Sequence, residues 1–418
     1  MNKDGMSSAA SRATAACLVE GGVVITPDEV IPDGVVAIVG ERIGFVGRRS
    51  DFEVLEAAWL QEQAASLTRV DAKGRYVVPG YVDVHIHGGG GKDALDATPE
   101  AIRTVARTHG RHGTTSFLVT TATSSPDNLL EAARATVAVM RQQTEATAQE
   151  SRQEADVIGM HLEGPYLSGA RKGAQNEAFL RDMDPAELER LLEVLGPAFR
   201  MMTVAPERPH GLEAIRWLVE HGVVASIGHT QATYEQAKAA VALGAQHATH
   251  TYNAMTGLHH RDPGTVGAVT TSPGVVCELI ADGIHVHPGA MRVLYELKGA
   301  RRLALVTDAV AGMGMPEGEY QLAGKQVFLR DGAVRLADGT LAGSALSMEK
   351  AVANMVSRVG VPLPEAIRMA TLTPAESVGV QDRKGSLAVG KDADLLLLSS
   401  DLTVERSMVR GQWLVWDE

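Results

Sequence analysis

Short runs of apolar and β-branched residues recur through the middle of the chain, and segments whose apolar residues have helical spacing lie between them. Several of these runs are apolar almost throughout, which is typical of parallel strands that helices cover on both faces. Residues 99–112 and 234–243 are examples of the intervening helical segments. The pattern predicts eight strands, at residues 82–87, 115–120, 157–162, 201–205, 223–228, 247–251, 275–280 and 303–307.

Eight strand–helix units favour an α/β fold of the (β/α)8 TIM-barrel type. The alternative α/β fold is a doubly wound open sheet, which does not normally need eight repeats. We therefore expect a barrel whose strands follow one another in chain order.

The two ends of the chain show a different pattern, in which short apolar runs alternate with turn residues such as those at 32–34. A helix is expected at 55–67, and strands are predicted at residues 22–25, 35–39, 43–46, 76–78, 393–398 and 412–416. Because chain termini commonly lie close together, we expect both ends to pair in one small β-sandwich domain. The predicted division is a disordered tail at 1–15, a β domain at 16–78 plus 384–418, and a barrel at 79–383.

Composition narrows the classes of partner and compartment. The 418 residues are 45% hydrophobic and 22% charged, as in a globular protein. The formal net charge of -12 argues against nucleic-acid and anionic-membrane partners, because both need a positive face. Cys17 and Cys277 are too few for a disulfide framework, and no apolar run approaches the roughly 20 residues that span a bilayer. We therefore expect a cytoplasmic protein.

All 14 histidines lie between His85 and His287, within the predicted barrel. Catalytic groups of such barrels sit at the carboxyl ends of the strands. Ligand-type side chains follow predicted strands one, three, five, six and eight, namely His85, His87, Glu163, His229, His250 and Asp308. Imidazoles combined with carboxylates favour a divalent transition metal such as zinc or iron over magnesium or calcium. Isolated histidines such as His109 and His221 are expected to be structural.

Six motifs extend over nearly the whole predicted barrel. They are Pro-Gly-Tyr-Val-Asp-Val-His-Ile-His-Gly at 79–88, His-Leu-Glu-Gly-Pro at 161–165, Gly-His-Thr at 228–230, His-Thr-Tyr-Asn-Ala-Met at 250–255, Ala-Asp-Gly-Ile-His at 281–285 and Val-Thr-Asp-Ala at 306–309. Together they resemble the N-acetylglucosamine-6-phosphate deacetylase family of the amidohydrolase superfamily. Residues 385–395 resemble the strand by which that superfamily returns to its small β domain.

The resemblance implies that the protein is an enzyme, and it also implies the reaction. It would be a metal-dependent amidohydrolase that converts N-acetyl-D-glucosamine 6-phosphate to D-glucosamine 6-phosphate and acetate in amino-sugar catabolism. Glu163, His229 and His250 would hold the principal metal, zinc or iron. Glu163 would replace the carbamylated lysine found elsewhere in the superfamily, and the fourth strand, at 201–205, contains no lysine. A second ion bound by the His85 and His87 pair, with Glu163 bridging, would give two ions per subunit instead of one.

The resemblance also implies two residues that act at the acetamido group. Asp308 would take a proton from the attacking water as general base and deliver it to the departing amine as general acid. Gln175 stands where the family often has a histidine that contacts the acetamido carbonyl. A glutamine amide can donate a hydrogen bond but carries no positive charge, so Gln175 is predicted to bind substrate.

Contacts to the 6-phosphate are implied for Asn253, Ala254 and His285. The family adds an arginine that reaches in from the partner subunit, and Arg261 matches it here. Such a contact requires at least a homodimer.

Three alternative functions stay open. An N-acetylgalactosamine-6-phosphate deacetylase would act on a substrate that differs only in the orientation of one hydroxyl. Dihydroorotase-like and hydantoinase-like cyclic amidases lack support from the fourth strand. A non-catalytic sugar-phosphate sensor could use the same barrel, although a sensor has no need of Asp308.

Overall fold

The computed structural model of the chain describes residues 15–63, 66–145 and 153–415. The predicted tail at 1–15 lies outside these residues apart from Ala15, with which the first strand begins. Residue 416 of the last predicted strand also lies outside them.

The strands are numbered in chain order. They are β1 (Ala15–Ile25), β2 (Val30–Val39), β3 (Arg42–Arg48), β4 (Ser66–Asp71), β5 (Tyr76–Pro79), β6 (Tyr81–Ile86), β7 (Gly88–Gly89), β8 (Lys92–Asp93), β9 (Thr114–Thr121), β10 (Asp156–Glu163), β11 (Phe199–Val204), β12 (Val224–Ile227), β13 (His247–Ala248), β14 (Val276–Ile280), β15 (Leu303–Val306), β16 (Gly318–Leu322), β17 (Lys325–Arg330), β18 (Ala333–Arg335), β19 (Leu341–Ser344), β20 (Leu395–Leu398), β21 (Val404–Val409) and β22 (Gln412–Trp413).

The helices are numbered in the same way. They are α1 (Arg49–Gln63), α2 (Pro99–Gly110), α3 (Pro126–Glu145), α4 (Pro185–Leu195), α5 (Gly211–Glu220), α6 (Tyr234–Ala242), α7 (Gly264–Thr270), α8 (Pro288–Lys298), α9 (Met348–Asn354), α10 (Leu363–Ala370) and α11 (Leu372–Ser377). Within the described residues, none of the helices combines the length and the apolar character needed to cross a membrane.

Eight parallel strands form a barrel, and hydrogen-bonded neighbours follow in the order β6-β9-β10-β11-β12-β13-β14-β15. The barrel closes where the segment after β15 meets β6. There the N–H of Asp308 donates to the carbonyl oxygen of His85 at 2.9 Å, and the N–H of His87 donates to that of Ala309 at 2.9 Å. The predicted (β/α)8 fold is confirmed, and each of the eight predicted strands overlaps a barrel strand.

Burial explains why these segments take up this structure. Every residue of β9 and β10 is buried, so the strands need apolar or small side chains on both faces. The helices cover the barrel with one apolar stripe each. In α2, for example, the side chain of Thr98 accepts the N–H of Ala101 at the helix start, and Ile102 and Val105 are buried.

A four-stranded antiparallel sheet, β16 to β19, follows the last barrel strand, and we refer to residues 318–344 as the cap sheet. Leu322, Val327 and Leu329 of the cap sheet pack in one cluster with Val310 and Ala122, which follow β15 and β9. The cap sheet therefore lies over the carboxyl ends of the barrel strands. Sequence analysis predicts no strands in this segment.

The two chain ends form one sheet, in the order β22-β21-β20-β5-β1-β2-β3 with β4 beside β1. β20 pairs antiparallel with β5, so that Leu396 stands opposite Val78. One buried cluster contains Val36 of β2 and Leu395 of β20, which lie on opposite arms of the sheet. The N–H of Ile43 in β3 also donates to the carbonyl oxygen of Lys391, just before β20, at 3.0 Å, so the sheet folds over on itself as the predicted small sandwich. The domain boundaries after residues 78 and 383 stay a prediction.

The helix predicted at 55–67 is wrong at both ends. α1 begins at Arg49, and its buried Phe52 packs on the sheet beside Leu18. Residues 66 and 67 belong to β4, which pairs in parallel with β1, and 64–65 lie outside the described residues. β4 forms a strand because its main chain pairs with a strand that is distant in the sequence. The local spacing of apolar residues gives no sign of this pairing.

Candidate metal centre and active site

A cavity of about 320 Å³ opens at the carboxyl ends of the barrel strands. Nine of the eleven residues predicted for the site line it, namely His87, Glu163, Gln175, His229, His250, Asn253, Ala254, His285 and Asp308. His85 lies deeper and has no exposed surface, and its Nε2 is 3.2 Å from Nε2 of His87. Arg261 is exposed on a loop and is not part of the cavity wall of its own chain. The structure thus brings ten of the predicted residues together and leaves Arg261 apart.

Glu163, His229 and His250 form the first cluster. The Nε2 atoms of His229 and His250 lie 3.1 and 3.0 Å from Oε1 of Glu163, and 3.0 Å from each other. Glu163 ends β10, and the two histidines follow β12 and β13. Three barrel strands therefore direct these side chains to one point, and one ligand atom from each residue lies within 4.8 Å of the others.

His85 and His87 face Glu163 from the other side. Nε2 of His87 lies 3.3 Å from Oε2 of Glu163, and Nε2 of His85 lies 3.5 Å from Oε1. Oδ1 of Asp308 lies 3.2 Å from Nε2 of His87 and 3.5 Å from Nε2 of His85. The Glu163 carboxylate therefore stands between two imidazole pairs, which is the position that a bridging ligand needs.

Hydrogen bonds at the outer ring nitrogens indicate the tautomers of these histidines. Nδ1 of His229 and Nδ1 of His87 lie 2.8 and 3.2 Å from main-chain carbonyl oxygens. Because a carbonyl oxygen only accepts, Nδ1 carries the proton and Nε2 presents a lone pair to the cluster. Nδ1 of His85 donates in the same way to the Glu278 carboxylate at 2.9 Å. Nitrogen lone pairs and carboxylate oxygens thus converge on the same small volume, and this donor set fits a divalent transition metal.

The histidines of the cluster lower the pKa values of its two carboxylates. Burial opposes ionisation of Glu163, yet His229 and His85 beside it hold its pKa well below the usual value. Burial likewise opposes ionisation of Asp308, while His85 and His87, when both nitrogens of their rings are protonated, hold its pKa below the usual value. Two ionised carboxylates in a buried site attract a divalent cation.

Gln175 is held by two hydrogen bonds of its own amide. Its Oε1 accepts the N–H of Thr123 at 2.6 Å, and its Nε2 donates to Oε2 of Glu163. Its loop is attached to the cap sheet, because Nζ of Lys325 donates to the carbonyl oxygens of Ala174 and Gln175 at 3.2 and 2.8 Å. An amide NH2 group carries two hydrogens, so Gln175 can donate to a bound molecule while it contacts Glu163.

The cavity wall on the side of α8 carries His285, which has a carboxylate behind it. Nδ1 of His285 lies 2.6 Å from Oδ2 of Asp282, and Oδ1 of Asp282 accepts the N–H groups of Ile284 and His285 at 2.8 Å. Burial opposes ionisation of Asp282, but the hydrogen bond and charge of His285 lower its pKa. The carboxylate thus fixes the imidazole and leaves Nε2 for a ligand.

Three histidines outside the cluster have structural partners. His161 belongs to the motif at 161–165, yet its Nδ1 bonds to the carbonyl oxygen of Val84 at 3.1 Å and its Nε2 to Oγ1 of Thr203 at 2.8 Å. Nε2 of the buried His109 bonds to the carbonyl oxygen of Gly88 at 2.9 Å. His221 is exposed and stacks on a tryptophan. His109 and His221 agree with the structural role expected for them.

Sequence analysis misses three side chains that support the site: Glu278, Asp282 and Lys325. Glu278 interrupts the apolar run at 275–280, and this interruption is the signal that could have identified it. Asp282 lies within the motif at 281–285, three residues before His285. Lys325 lies in the cap sheet, and nothing in the sequence connects it with the loop of Gln175.

An eight-stranded barrel with imidazoles and carboxylates converging at the carboxyl ends of its strands defines a class, the (β/α)8 metallohydrolases. Residues 76–414 match the family model described as the amidohydrolase family. The chain belongs to this family, which is metal-dependent.

Similar proteins refine the family. N-acetylglucosamine-6-phosphate deacetylase of Vibrio furnissii is 41% identical over 341 residues, which cover 82% of this chain and 83% of that protein. N-acetylgalactosamine-6-phosphate deacetylase of Escherichia coli O157:H7 is 42% identical over 347 residues, or 83% of this chain and 89% of that protein. The structure of a mutant N-acetyl-D-glucosamine-6-phosphate deacetylase of Mycobacterium smegmatis, in complex with N-acetyl-D-glucosamine-6-phosphate, has a TM-score of 0.85 and 35% identity, covering 96% of this chain and 100% of that chain. The family resemblance of the sequence motifs is confirmed.

Proposed function

We propose that this protein hydrolyses the acetamido group of N-acetyl-D-glucosamine 6-phosphate, releasing D-glucosamine 6-phosphate and acetate in amino-sugar catabolism. The observation that carries the proposal is the Glu163 carboxylate between two imidazole pairs, with Asp308 beside it in the cavity wall. The deacetylase relative from Vibrio furnissii, 41% identical to this chain, supports the choice of reaction and substrate.

The proposed cofactor is a pair of divalent transition metal ions, zinc or iron. Glu163, His229 and His250 would hold the first ion, and His85 and His87 would hold the second with Glu163 shared. The support is the convergence of their ligand atoms in two groups that have Glu163 in common. Neutral imidazoles with a carboxylate suit both metals.

Asp308 is the proposed proton carrier of the reaction. A bound divalent metal lowers the pKa of a water molecule and polarises a carbonyl group. Oδ1 of Asp308 takes a proton from the attacking water while the water oxygen bonds to the acetamido carbon, and it gives that proton to the nitrogen as the carbon–nitrogen bond breaks. Asp308 has to be ionised at the start of the cycle, and a cation bound beside it would favour that form. The second proton of the water passes to the amine, so the products are acetate and the protonated amine.

The remaining cavity residues are proposed to bind the substrate. Gln175 would orient the acetamido carbonyl through its amide, while Asn253, Ala254 and His285 would contact the 6-phosphate. The support for His285 is its Asp282 partner, because the hydrogen bond at Nδ1 fixes the ring in the cavity wall.

Arg261 is proposed to complete the phosphate site of a neighbouring subunit, which makes the functional unit at least a homodimer. It is exposed, lies outside the cavity of its own chain, and its guanidinium contacts His260 at 2.6 Å. An arginine in this position can serve a partner without losing a contact in its own site.

A cytoplasmic location is also proposed. Cys17 and Cys277 are buried free thiols, which fits a reducing compartment.

N-acetylgalactosamine 6-phosphate is the second candidate substrate, because a relative of 42% identity carries that deacetylase activity in its name. Acetate release from the two epimeric 6-phosphates, measured with purified protein of known metal content, decides between them. We expect the higher kcat/KM for the gluco epimer. A higher kcat/KM for the galacto epimer would make N-acetylgalactosamine 6-phosphate the substrate. If neither epimer releases acetate, the result would favour the sugar-phosphate sensor.

A further inference from the structure

Glu278 is a buried carboxylate for which the proposed reaction has no use. It lies in β14 and has no exposed surface. Its Oε2 accepts hydrogen bonds from Nδ1 of His85 and from the main-chain N–H of His250, both at 2.9 Å. Its Oε1 lies 3.4 Å from Nδ1 of His247. A buried charge needs close partners, and in the described part of the chain the side-chain hydrogen bonds of Glu278 go to two proposed metal ligands.

The bond to His85 fixes both the tautomer and the orientation of that ring. A carboxylate can only accept, so Nδ1 of His85 carries the proton and its Nε2 lone pair faces Glu163 and His87. The equivalent partner of His87 is a neutral main-chain carbonyl oxygen. A negative partner makes an imidazole a stronger electron donor than a neutral partner does.

The same carboxylate supports the first cluster through the main chain of His250. This residue has a φ of +29°, which is unfavourable for a residue with a side chain. Its N–H is satisfied by Glu278, and its carbonyl oxygen accepts the N–H of Asn253 at 3.0 Å. Glu278 therefore connects one ligand of each proposed ion.

A different possibility is a third metal site made of His85, His161 and Glu278, whose ligand atoms lie within 4.8 Å of one another. Neither ring nitrogen of His161 is available to a metal, because Nδ1 bonds to Val84 and Nε2 to Thr203. Nδ1 of His85 already donates to Glu278. This group is a hydrogen-bonded layer beneath the cavity.

We infer that Glu278 is a positioning residue that presents Nε2 of His85 to the second ion and holds the main chain of His250. The inference rests on the proposed function, because the second ion is part of that proposal. The proposed role requires that Oε2 accepts hydrogen bonds. A neutral amide oxygen at the same position should therefore position both residues nearly as well.

The test compares three variants of the full chain with the wild-type protein. Glu278→Ala removes the acceptor, and Glu278→Gln keeps an oxygen that can accept from both donors. Thr203→Val is the control, because Thr203 lies in the same buried layer, and among the described residues its hydroxyl bonds to His161 and Thr249 rather than to His85 or His250. Metal bound per subunit is measured by elemental analysis after dialysis against graded free zinc, and circular dichroism reports folding.

We expect two ions per subunit in the wild-type protein, in Glu278→Gln and in Thr203→Val. In Glu278→Ala the affinity for the second ion should fall by about 10- to 100-fold, the range seen when a carboxylate behind a ligating histidine is lost. The first ion should be affected less, because Glu163 and His229 keep their own contacts.

Two results with the variants would overturn the inference about Glu278 alone. One is unchanged zinc affinity of the second site in folded Glu278→Ala, and the other is an equal loss in Glu278→Gln or in Thr203→Val. A single ion in the wild-type protein would also overturn it, because His85 would then hold no metal. Acetate release by that same preparation would leave the proposed deacetylase reaction standing.

Discussion

At the scale of single residues, four positions of the candidate metal centre have a strained main chain. His229, His250, Ala254 and Asp308 have φ angles of +45°, +29°, +51° and +50°. Each such conformation costs on the order of 1–3 kcal/mol for a residue with a side chain. Surrounding contacts hold it in place; the main chain of Asp308, for example, bonds to both His85 and Ser344. These four positions are therefore determined by the closed barrel, and local preference opposes them.

Asp308→Asn is expected to lower kcat by about 10²- to 10⁴-fold, because the amide keeps the shape of the side chain but cannot take a proton. The ligands Glu163, His229 and His250 are untouched, so the first ion should stay bound. Acetate release and metal content are measured on the same preparation. Near-normal turnover would show that another group carries the proton.

Asp282→Asn is expected to raise KM for the 6-phosphorylated sugar by about tenfold, because it removes the carboxylate oxygen that holds the His285 ring in the cavity wall. The unphosphorylated N-acetyl sugar should be turned over as before, since it has no group for that imidazole to bind. Steady-state kinetics with both sugars check this. Equal damage to the two substrates would assign Asp282 a role in folding of the loop instead.

At the scale of elements, the attachment of α2 to the segment after β6 gives a prediction about pH. Burial, opposed by the hydrogen bond to Gly88, lowers the pKa of His109 to about 4, whereas the unfolded chain keeps the ordinary value of 6.5. Between these values the unfolded state binds the proton more tightly, so stability falls as the pH falls from 6.5 towards 4. The loss attributable to His109 is about 3 kcal/mol at most.

His109→Gln keeps a donor for Gly88 and removes the titration. Denaturant unfolding at several pH values should therefore show a smaller loss of stability on acidification in this variant than in the wild-type protein. Identical pH profiles would mean that His109 titrates in the folded protein as it does in the unfolded chain.

The elements also show how far the sequence could predict this molecule. The eight barrel strands were identified because full burial leaves continuous apolar runs, and the ligand-type side chains stand directly after them. The strands of the cap sheet are missed because they are partly exposed, although each pairs with its neighbour along the chain. β4 is missed because it is partly exposed and its partner β1 is distant in sequence. Glu278 is missed because its role depends on two hydrogen-bond donors that lie outside its own strand. The side chains that directly follow the predicted strands thus identify the proposed metal ligands. The groups that hydrogen-bond to those ligands can be identified only in the folded barrel.

At the scale of the whole molecule, a net charge of -12 opposes the approach of an anionic substrate. One phosphate needs only a few local donors, and a second subunit can supply the missing cation. Mixed dimers test this directly. Arg261→Ala and Asp308→Asn subunits are each expected to be weakly active, but a heterodimer contains one site with an intact Asp308 and an arginine from its partner.

Random mixing of the two variants after subunit exchange should restore activity to about a quarter of the sites. The control is each variant exchanged with itself, which should gain nothing. Absence of recovery in dimers shown by native mass spectrometry to have exchanged would place Arg261 outside the neighbouring site.

The most direct test of the central claim is to count metal and acetate in one titration. Protein stripped by a chelator is expected to release no acetate from N-acetyl-D-glucosamine 6-phosphate, and stepwise addition of zinc or iron(II) should restore release in proportion to bound metal, up to two ions per subunit. Stripped protein that is confirmed to be metal-free and still releases acetate at the full rate would contradict the account.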